Sequence, residues 1–146
     1  MYTKITRFRV VDVPGYGNCL FEAVGRSVGI SADALRDQTV AFMKEKNTLH
    51  NIDIQDWITW NAEAQASSYI ERMSRSGTWG GGIELAIMST MLKKPIVVFS
   101  KDGDNGAKKI AEFLPDKCAN EEIQGFGVIA VLYVGSSHYM QLQWIP

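Results

Sequence analysis

What this chain lacks narrows it first. It has no basic excess: 15 Lys and Arg stand against 16 Asp and Glu, a formal net charge of -1. A nucleic-acid binder must neutralise phosphates with clustered cations, whereas here only Lys93-Lys94 and Lys108-Lys109 are adjacent. Nucleic acid is therefore not an expected partner. Long apolar runs are missing too. The longest, Phe126 to Gly135, is about half of what a bilayer-spanning helix needs. The opening "MYTKITRFRVVDV" has no apolar stretch behind a basic start, so it does not read as a secretory signal. No membrane partner and a cytoplasmic location are expected. The chain has only two cysteines, Cys19 and Cys118, and no CxxC pair. That spacing suggests neither a zinc site nor a disulfide framework, and permits one long-range disulfide at most. Repeats, low-complexity tracts and linker-like segments are also missing. Residues 1–146 accordingly read as one domain, long enough to bury a core.

What is present reads as alternating helix and strand signals. The first 13 residues alternate polar and apolar and predict a strand. A glycine-rich turn from Pro14 to Gly17 follows, then a helix over Asn18 to Val28 with Phe21, Val24 and Val28 on one face. Ser31 fits an N-cap, with Ile30 and Leu35 as a hydrophobic staple, and the stripe Leu35, Thr39, Phe42, Met43 carries a second helix to about Lys46. "NTLHNIDIQDWITWN" reads as loop or short helices, and Tyr69 and Met73 mark a further helix ending at "RSGTW". "GGGIELAIMSTMLKK" predicts a helix burying Ile83, Ile87, Met88 and Met91. "PIVVFS" is a short buried strand, "KDGDNGAKK" a solvated loop, and the last 21 residues two strands hinged at Gly135-Ser136-Ser137. Helices come mainly first and strands mainly last, which predicts an α+β fold: a mixed β-sheet flanked by helices.

Within "VPGYGNCLFEAVGRSVGI", Cys19 sits where the glycine-rich turn becomes a helix. A catalytic cysteine needs a base, backbone amides to hold an oxyanion, and a rigid mount. Glycines at 15 and 17 permit a tight loop with inward N–H groups, and the helix presents its positive end to the sulfur. The fragment alone reads first as a small apolar side chain buried at a helix start, and only then as a nucleophile. Two cysteines and two histidines allow four pairs. Cys118 lies in the polar "LPDKCANEE" and reads as incidental, and His50 lies among Asn and Asp as a solvated loop residue. His138 opens the final strand directly after a turn, a junction that holds a side chain without burying it fully. Cys19 with His138 is the pair to expect. The residue two along from His138, on the same strand face, is Met140, whose thioether cannot orient an imidazole as a carboxylate can. Asp12 is the nearest upstream acid, and the sequence offers no geometric reason to assign it.

Four blocks, "GYGNCLFEAV", "LRDQTVAFMKEKN", "TWGGGIELAIMSTMLKKPIVVF" and "SSHYMQLQW", occur in the order and spacing of the ovarian-tumour (OTU) family of cysteine proteases, which the chain resembles over nearly its whole length. Gly17 to Phe21 match the family's Asp-Gly-Asn-Cys-Leu-Phe motif, Trp79 to Leu85 its Trp-Gly-Gly stretch, and His138-Tyr139 its terminal His-Tyr. The resemblance implies a papain-like OTU fold and a deubiquitinase that cleaves isopeptide bonds after the C-terminal glycine of ubiquitin or a ubiquitin-like modifier. Cys19 would be the nucleophile and His138 the general base. The backbone amides of Tyr16, Gly17 and Asn18, continuing to Cys19, would form the oxyanion hole. Trp79, Gly80, Gly81 and Tyr139 are candidates for the substrate cleft, with core packing the competing role for Trp79, Tyr139 and Trp144. Glu84 fits a first-turn acid stabilised by its helix. No metal or organic cofactor is implied, and a monomer is expected.

Two positions depart from the family pattern. The aspartate that opens the cysteine motif is Tyr16, and the Asn or Asp commonly two residues after the histidine is Met140. Either another residue orients His138, or the enzyme works as a dyad, or it is crippled. A ubiquitin-binding pseudoenzyme and a viral polyprotein-processing protease therefore stand as alternatives. The short form and divergent motif suggest a viral OTU domain acting in host cytoplasm, and residues 47 to 78 the likeliest part of a ubiquitin-recognition surface.

Overall fold

The computed structural model of the chain describes residues 4–14, 17–45, 47–116, 127–135 and 138–145. Along them run β1 (Lys4–Ile5), β2 (Phe8–Val11), α1 (Cys19–Val28), α2 (Ala32–Lys44), β3 (Thr48–Leu49), β4 (Ile52–Asp53), α3 (Ile54–Ala62), α4 (Ala66–Met73), α5 (Gly82–Leu92), β5 (Ile96–Asp102), β6 (Gly106–Phe113), β7 (Ile129–Val134) and β8 (His138–Trp144). Six strands form one sheet in the order β1-β6-β5-β7-β8-β2, and β3 with β4 forms a small ribbon. β5 and β7 run parallel while the other neighbours are antiparallel, so the expected α+β fold with a mixed sheet is what the chain adopts.

The opening segment corrects the sequence reading. It is two strands, not one, and they pair with opposite ends of the sheet: Ile5 lies opposite Ala107 of β6, and Phe8 opposite Trp144 of β8. A flat six-stranded sheet would hold its outer strands about 24 Å apart, yet Ile5 and Phe8 are three residues apart and can span only about 11 Å. The sheet must therefore curl until its two edges approach. Its concave interior holds Ile5, Val97, Phe99, Ala107, Leu132 and Leu142, with Val10, Val134 and Met140 packed against them. The other face carries the larger core, where Leu20, Phe21 and Val24 of α1 meet Leu35, Ile87, Met88, Ile129 and Val131.

A second correction concerns "KDGDNGAKK". Its glycine-rich half is the turn of a hairpin, and Gly106 begins β6, which pairs with β5 through Phe113. The helices largely follow their sequence signals. Gly29, at φ 74°, ends α1 in the left-handed conformation that suits glycine. The Ser31 hydroxyl accepts the Ala34 N–H to cap α2. Ile87 and Met88 of α5 are buried and Ile83 and Met91 half-buried against the same core. The "NTLHNIDIQDWITWN" segment resolves into the β3–β4 ribbon and α3, which Asp53 caps through the Gln55 N–H. Tyr16, Cys118, Ser136, Ser137 and the Trp144 side chain lie outside the described residues, and with them the readings made for those positions. Among the described residues, no helix is long and apolar enough to cross a membrane.

Candidate active site

The site forms where β2 stops short. β2 pairs with β8 from Phe8 opposite Trp144 to Val11 opposite Gln141 and goes no further. Residues 138 to 140 therefore have a strand partner in β7 on one side only. The N-terminus of α1 closes on the edge left open. There the Tyr139 N–H donates to Cys19 Sγ at 3.5 Å. Cys19, the first residue of α1, is 1% exposed. The backbone next to His138 thus touches the sulfur of Cys19.

The register also explains how an unexpected residue reaches His138. Continued by one residue, the β2–β8 pairing sets Asp12 opposite Met140, making His138 its diagonal neighbour on the same face, within side-chain reach. His138 Nε2 lies 3.2 Å from Asp12 Oδ1. A carboxylate only accepts hydrogen bonds, so Nε2 carries the proton and donates, which leaves Nδ1 of the neutral ring with the lone pair. Nδ1 is buried and has no hydrogen-bond partner among the described residues. The Asp12 side chain is 80% exposed and that of His138 22%. Asp12 is held from behind by Arg26 of α1, whose Nη1 donates to the Asp12 carbonyl at 3.2 Å while its Nε bonds Glu22. Met140 packs instead into the curl of the sheet. The sequence named Asp12 but could not assign it, because a link across 126 residues appears only once the strands are registered.

The turn before the nucleophile is held by side chains aimed away from the helix. Asn18 occupies the N-cap of α1 yet makes no capping bond. Its Oδ1 accepts from the Gly77 N–H at 2.8 Å and from Arg36 Nη2 at 2.7 Å, and its Nδ2 donates to Ser76 Oγ at 3.1 Å. The first helical bond of this end runs from the Glu22 N–H to the Asn18 carbonyl. The amides before it have no acceptor within the helix, so a substrate oxygen can take them. Of the expected oxyanion residues, Gly17 and Asn18 are thus placed at this turn. Gly17 must be glycine here, because a Cβ would fall 1.6 Å from the Gly77 carbonyl oxygen.

The Trp79–Gly81 segment borders a cavity of about 630 Å³ whose lining includes Trp57, Tyr69, Trp79, Gly80, Gly81 and Phe113. Gly80 packs on Leu20 and Phe21, the residues after the nucleophile, while Cys19, Asp12 and His138 are not part of the cavity's lining. Trp79 is half-exposed. Tyr139 does not line the cavity: its ring lies tilted against that of Tyr133, 4.8 Å between centroids, and burial pushes its hydroxyl pKa up. Glu84 behaves as expected of a first-turn acid and does more. One carboxylate oxygen accepts the Gly81 N–H at 2.6 Å and the other the Tyr69 hydroxyl at 2.5 Å. It is 1% exposed, and burial raises its pKa against these two bonds and the Arg36 charge. His50 is half-exposed with Nδ1 3.5 Å from Asp116.

Comparison with known proteins shows the family. The Arabidopsis thaliana ovarian tumor domain-containing deubiquitinating enzyme 4 is 27% identical over 141 residues, which cover 92% of this chain and 43% of that protein. The 232R protein of Invertebrate iridescent virus 6 is 30% identical over 109 residues, covering 71% of this chain and 15% of that one. The chain thus spans less than half the length of these relatives. Among solved structures, the Hazara virus OTU bound to ubiquitin superposes with a TM-score of 0.69 at 22% identity, covering 95% of this chain and 82% of that one, a likeness of fold. The family described as OTU-like cysteine protease matches residues 14–139; the chain belongs to that family.

Proposed function

We propose that the protein is a cysteine protease that removes ubiquitin, or a ubiquitin-like modifier, by hydrolysing the bond after the modifier's C-terminal glycine. The observation that carries this reading is the convergence of three elements on one open strand edge: Cys19 Sγ against the Tyr139 amide, and the adjacent residue His138 against Asp12. His138 Nδ1 takes the thiol proton, and Sγ attacks the glycine carbonyl carbon. The resulting oxyanion is held by the amides of the Gly17–Cys19 turn, with Tyr16 as a further donor in the same segment. The imidazolium then gives its proton to the lysine amine as the C–N bond breaks, leaving a thioester on Cys19. Water, deprotonated by His138, attacks that carbonyl and releases the modifier's carboxylate, restoring the thiol with the same proton. Asp12 holds the ring in the tautomer these transfers need.

A ubiquitin-like partner is supported by the family and by the ubiquitin bound to the Hazara virus relative. Its extended C-terminal tail would enter past Trp79, Gly80 and Gly81 beside the cavity, and the α3–α4 region, within residues 47 to 78, would meet its globular part. A cytoplasmic setting goes with such conjugates. The reading as an inert ubiquitin binder drew its force from Tyr16 and Met140, and Asp12 supplies the carboxylate missing from both.

The test is reaction with ubiquitin bearing a C-terminal thiol-reactive group, read by intact mass for wild type, Cys19→Ala and His138→Ala. A single adduct that Cys19→Ala abolishes and His138→Ala slows is the expected result. Ubiquitin binding without any adduct would overturn the reading in favour of a binder, and neither binding nor adduct would overturn ubiquitin as the substrate.

A further inference from the structure

Arg36 belongs to no catalytic pair, yet it is among the most enclosed side chains in the molecule, 2% exposed. It stands on the buried stripe of α2 with its guanidinium carbon 4.4 Å above the Phe21 ring. Nη1 donates to the Met73 carbonyl at 3.0 Å. Nη2 faces three acceptors: Asn18 Oδ1 at 2.7 Å, the Thr78 carbonyl at 2.8 Å and the Gly17 carbonyl at 3.3 Å. One cation thus joins α2 to both ends of the segment after α4 and to the turn that carries the nucleophile. Only the planar fork of an arginine can serve acceptors in so many directions.

The Gly17 carbonyl gives this arrangement a chemical consequence. It belongs to the same peptide unit as the Asn18 N–H, one of the amides available to a substrate oxyanion. A guanidinium donating to that carbonyl polarises the peptide and strengthens its N–H as a donor, the cooperativity expected along a hydrogen-bond chain of low dielectric. The contact of Asn18 Oδ1 with both Arg36 and the Gly77 N–H fixes the rotation of the same unit. We propose that Arg36 is a positioning residue for the reaction, clamping the Gly17–Asn18 peptide to the Met73–Thr78 segment so that its N–H is aimed and polarised for the oxyanion. This rests on the hydrolase reading above and adds to it a residue that touches neither substrate nor nucleophile.

The experiment compares wild type, Arg36→Lys and Arg36→Met on a ubiquitin C-terminal fluorogenic amide, at a temperature below every variant's melting transition. Binding of plain ubiquitin and of ubiquitin aldehyde, whose hemithioacetal carries the oxyanion, is measured alongside. At metal centres, groups that only orient the working side chains are worth about 10- to 100-fold, and a like scale is taken for this peptide. We expect kcat to fall by that order in Arg36→Met with KM within about twofold, and aldehyde affinity to fall in step while plain ubiquitin binds as before. Lys keeps the charge without the fork, so Arg36→Lys should recover only part of the loss. Equal losses of aldehyde and plain ubiquitin affinity, or wild-type kcat in a folded Arg36→Met, would overturn the clamp. If both variants melt below the assay range, Arg36→Ala at lower temperature with added guanidinium ion serves instead: restored kcat supports the clamp, and no recovery in folded protein overturns it. Wild type that is inert to the amide and the aldehyde would overturn the hydrolase reading itself, a different outcome.

Discussion

His138 Nε2 donates to Asp12 Oδ1 across 3.2 Å, from the first residue of the last strand to the first residue beyond β2. The bond exists because β2 and β8 are registered with Val11 opposite Gln141, and because β2 ends there. Were β2 two residues longer, its backbone would occupy the edge at which Cys19 meets the Tyr139 amide.

Asp12→Ala is expected to lower kcat/KM by about 10- to 100-fold. The loss of the orienting carboxylate costs a serine protease about 10⁴, but a thiol is the better nucleophile and Asp12 is largely solvent-exposed, so water can partly replace it. Asp12→Asn keeps an oxygen that can accept from Nε2 and should lose less. Steady-state rates on a ubiquitin amide decide it: an Asp12→Ala enzyme as fast as wild type would leave His138 without need of this partner.

How much of the site was legible follows from sequence distance. Cys19 announced itself by its glycine turn, and His138 by its strand start. Asp12 gave no local signal, since only tertiary register makes it a neighbour. Arg36 did give one that went unread: with Ala32, Leu35, Thr39, Val40 and Met43 it shares the buried stripe of α2, and a charge on an apolar stripe must find acceptors inside. In the fold, β6 was missed because it opens on Gly106, Ala107, Lys108 and Lys109 instead of β-branched residues, so it continued the look of the loop before it. The break between β1 and β2 was hidden because alternation persists across it while the pairing partner changes.

The two glycines that pack around the nucleophile should respond differently to alanine. At Gly17 the new Cβ meets a backbone carbonyl oxygen at 1.6 Å, which cannot yield without moving the Gly77 segment. Gly17→Ala is expected to destabilise by about 1–3 kcal/mol through overpacking and to lower kcat with it. At Gly80 the nearest atom is Leu20 Cδ2 at 2.8 Å, the end of a flexible side chain, so Gly80→Ala should melt closer to wild type. Thermal melts of both variants test this, and a Gly17→Ala protein as stable as wild type would mean the turn is not buttressed by Gly77.

Gly81 separates a structural from a substrate role for the Trp79–Gly81 segment. Its φ of -155° is negative but its ψ of -146° lies outside the usual extended range, while a Cβ there would meet nothing within 4 Å. Gly81→Ala should therefore meet no clash and lower the melting temperature modestly, through backbone strain of about 1 kcal/mol. If the modifier's tail runs alongside, the methyl group intrudes on it, and KM should rise several-fold. Unchanged kinetics in Gly81→Ala would remove this position from the cleft.

The hydrogen bonds beneath that segment give the fold a pH dependence of definite sign. Burial raises the Glu84 pKa above the ordinary value of about 4.5, outweighing the Tyr69 and Gly81 bonds and the Arg36 charge that pull it down. Between the unfolded and folded values the native chain holds a proton that the unfolded chain has released, so stability falls as pH rises. This contribution is complete below about pH 4.5 and is lost as pH climbs through the folded value. Glu84→Gln has no proton to lose, yet its carbonyl can accept the Gly81 N–H and its amide can donate to the Tyr69 oxygen. Melting temperatures measured from pH 4.5 upward should therefore show the variant gaining on wild type as pH rises. Tyr69→Phe should do the reverse. It removes a donor to the buried carboxylate, costing about 1–3 kcal/mol, and raises Glu84 further, so its deficit should widen with pH. Parallel curves for all three proteins would show that Glu84 does not change protonation on folding, and that the two bonds alone hold Gly81 in place.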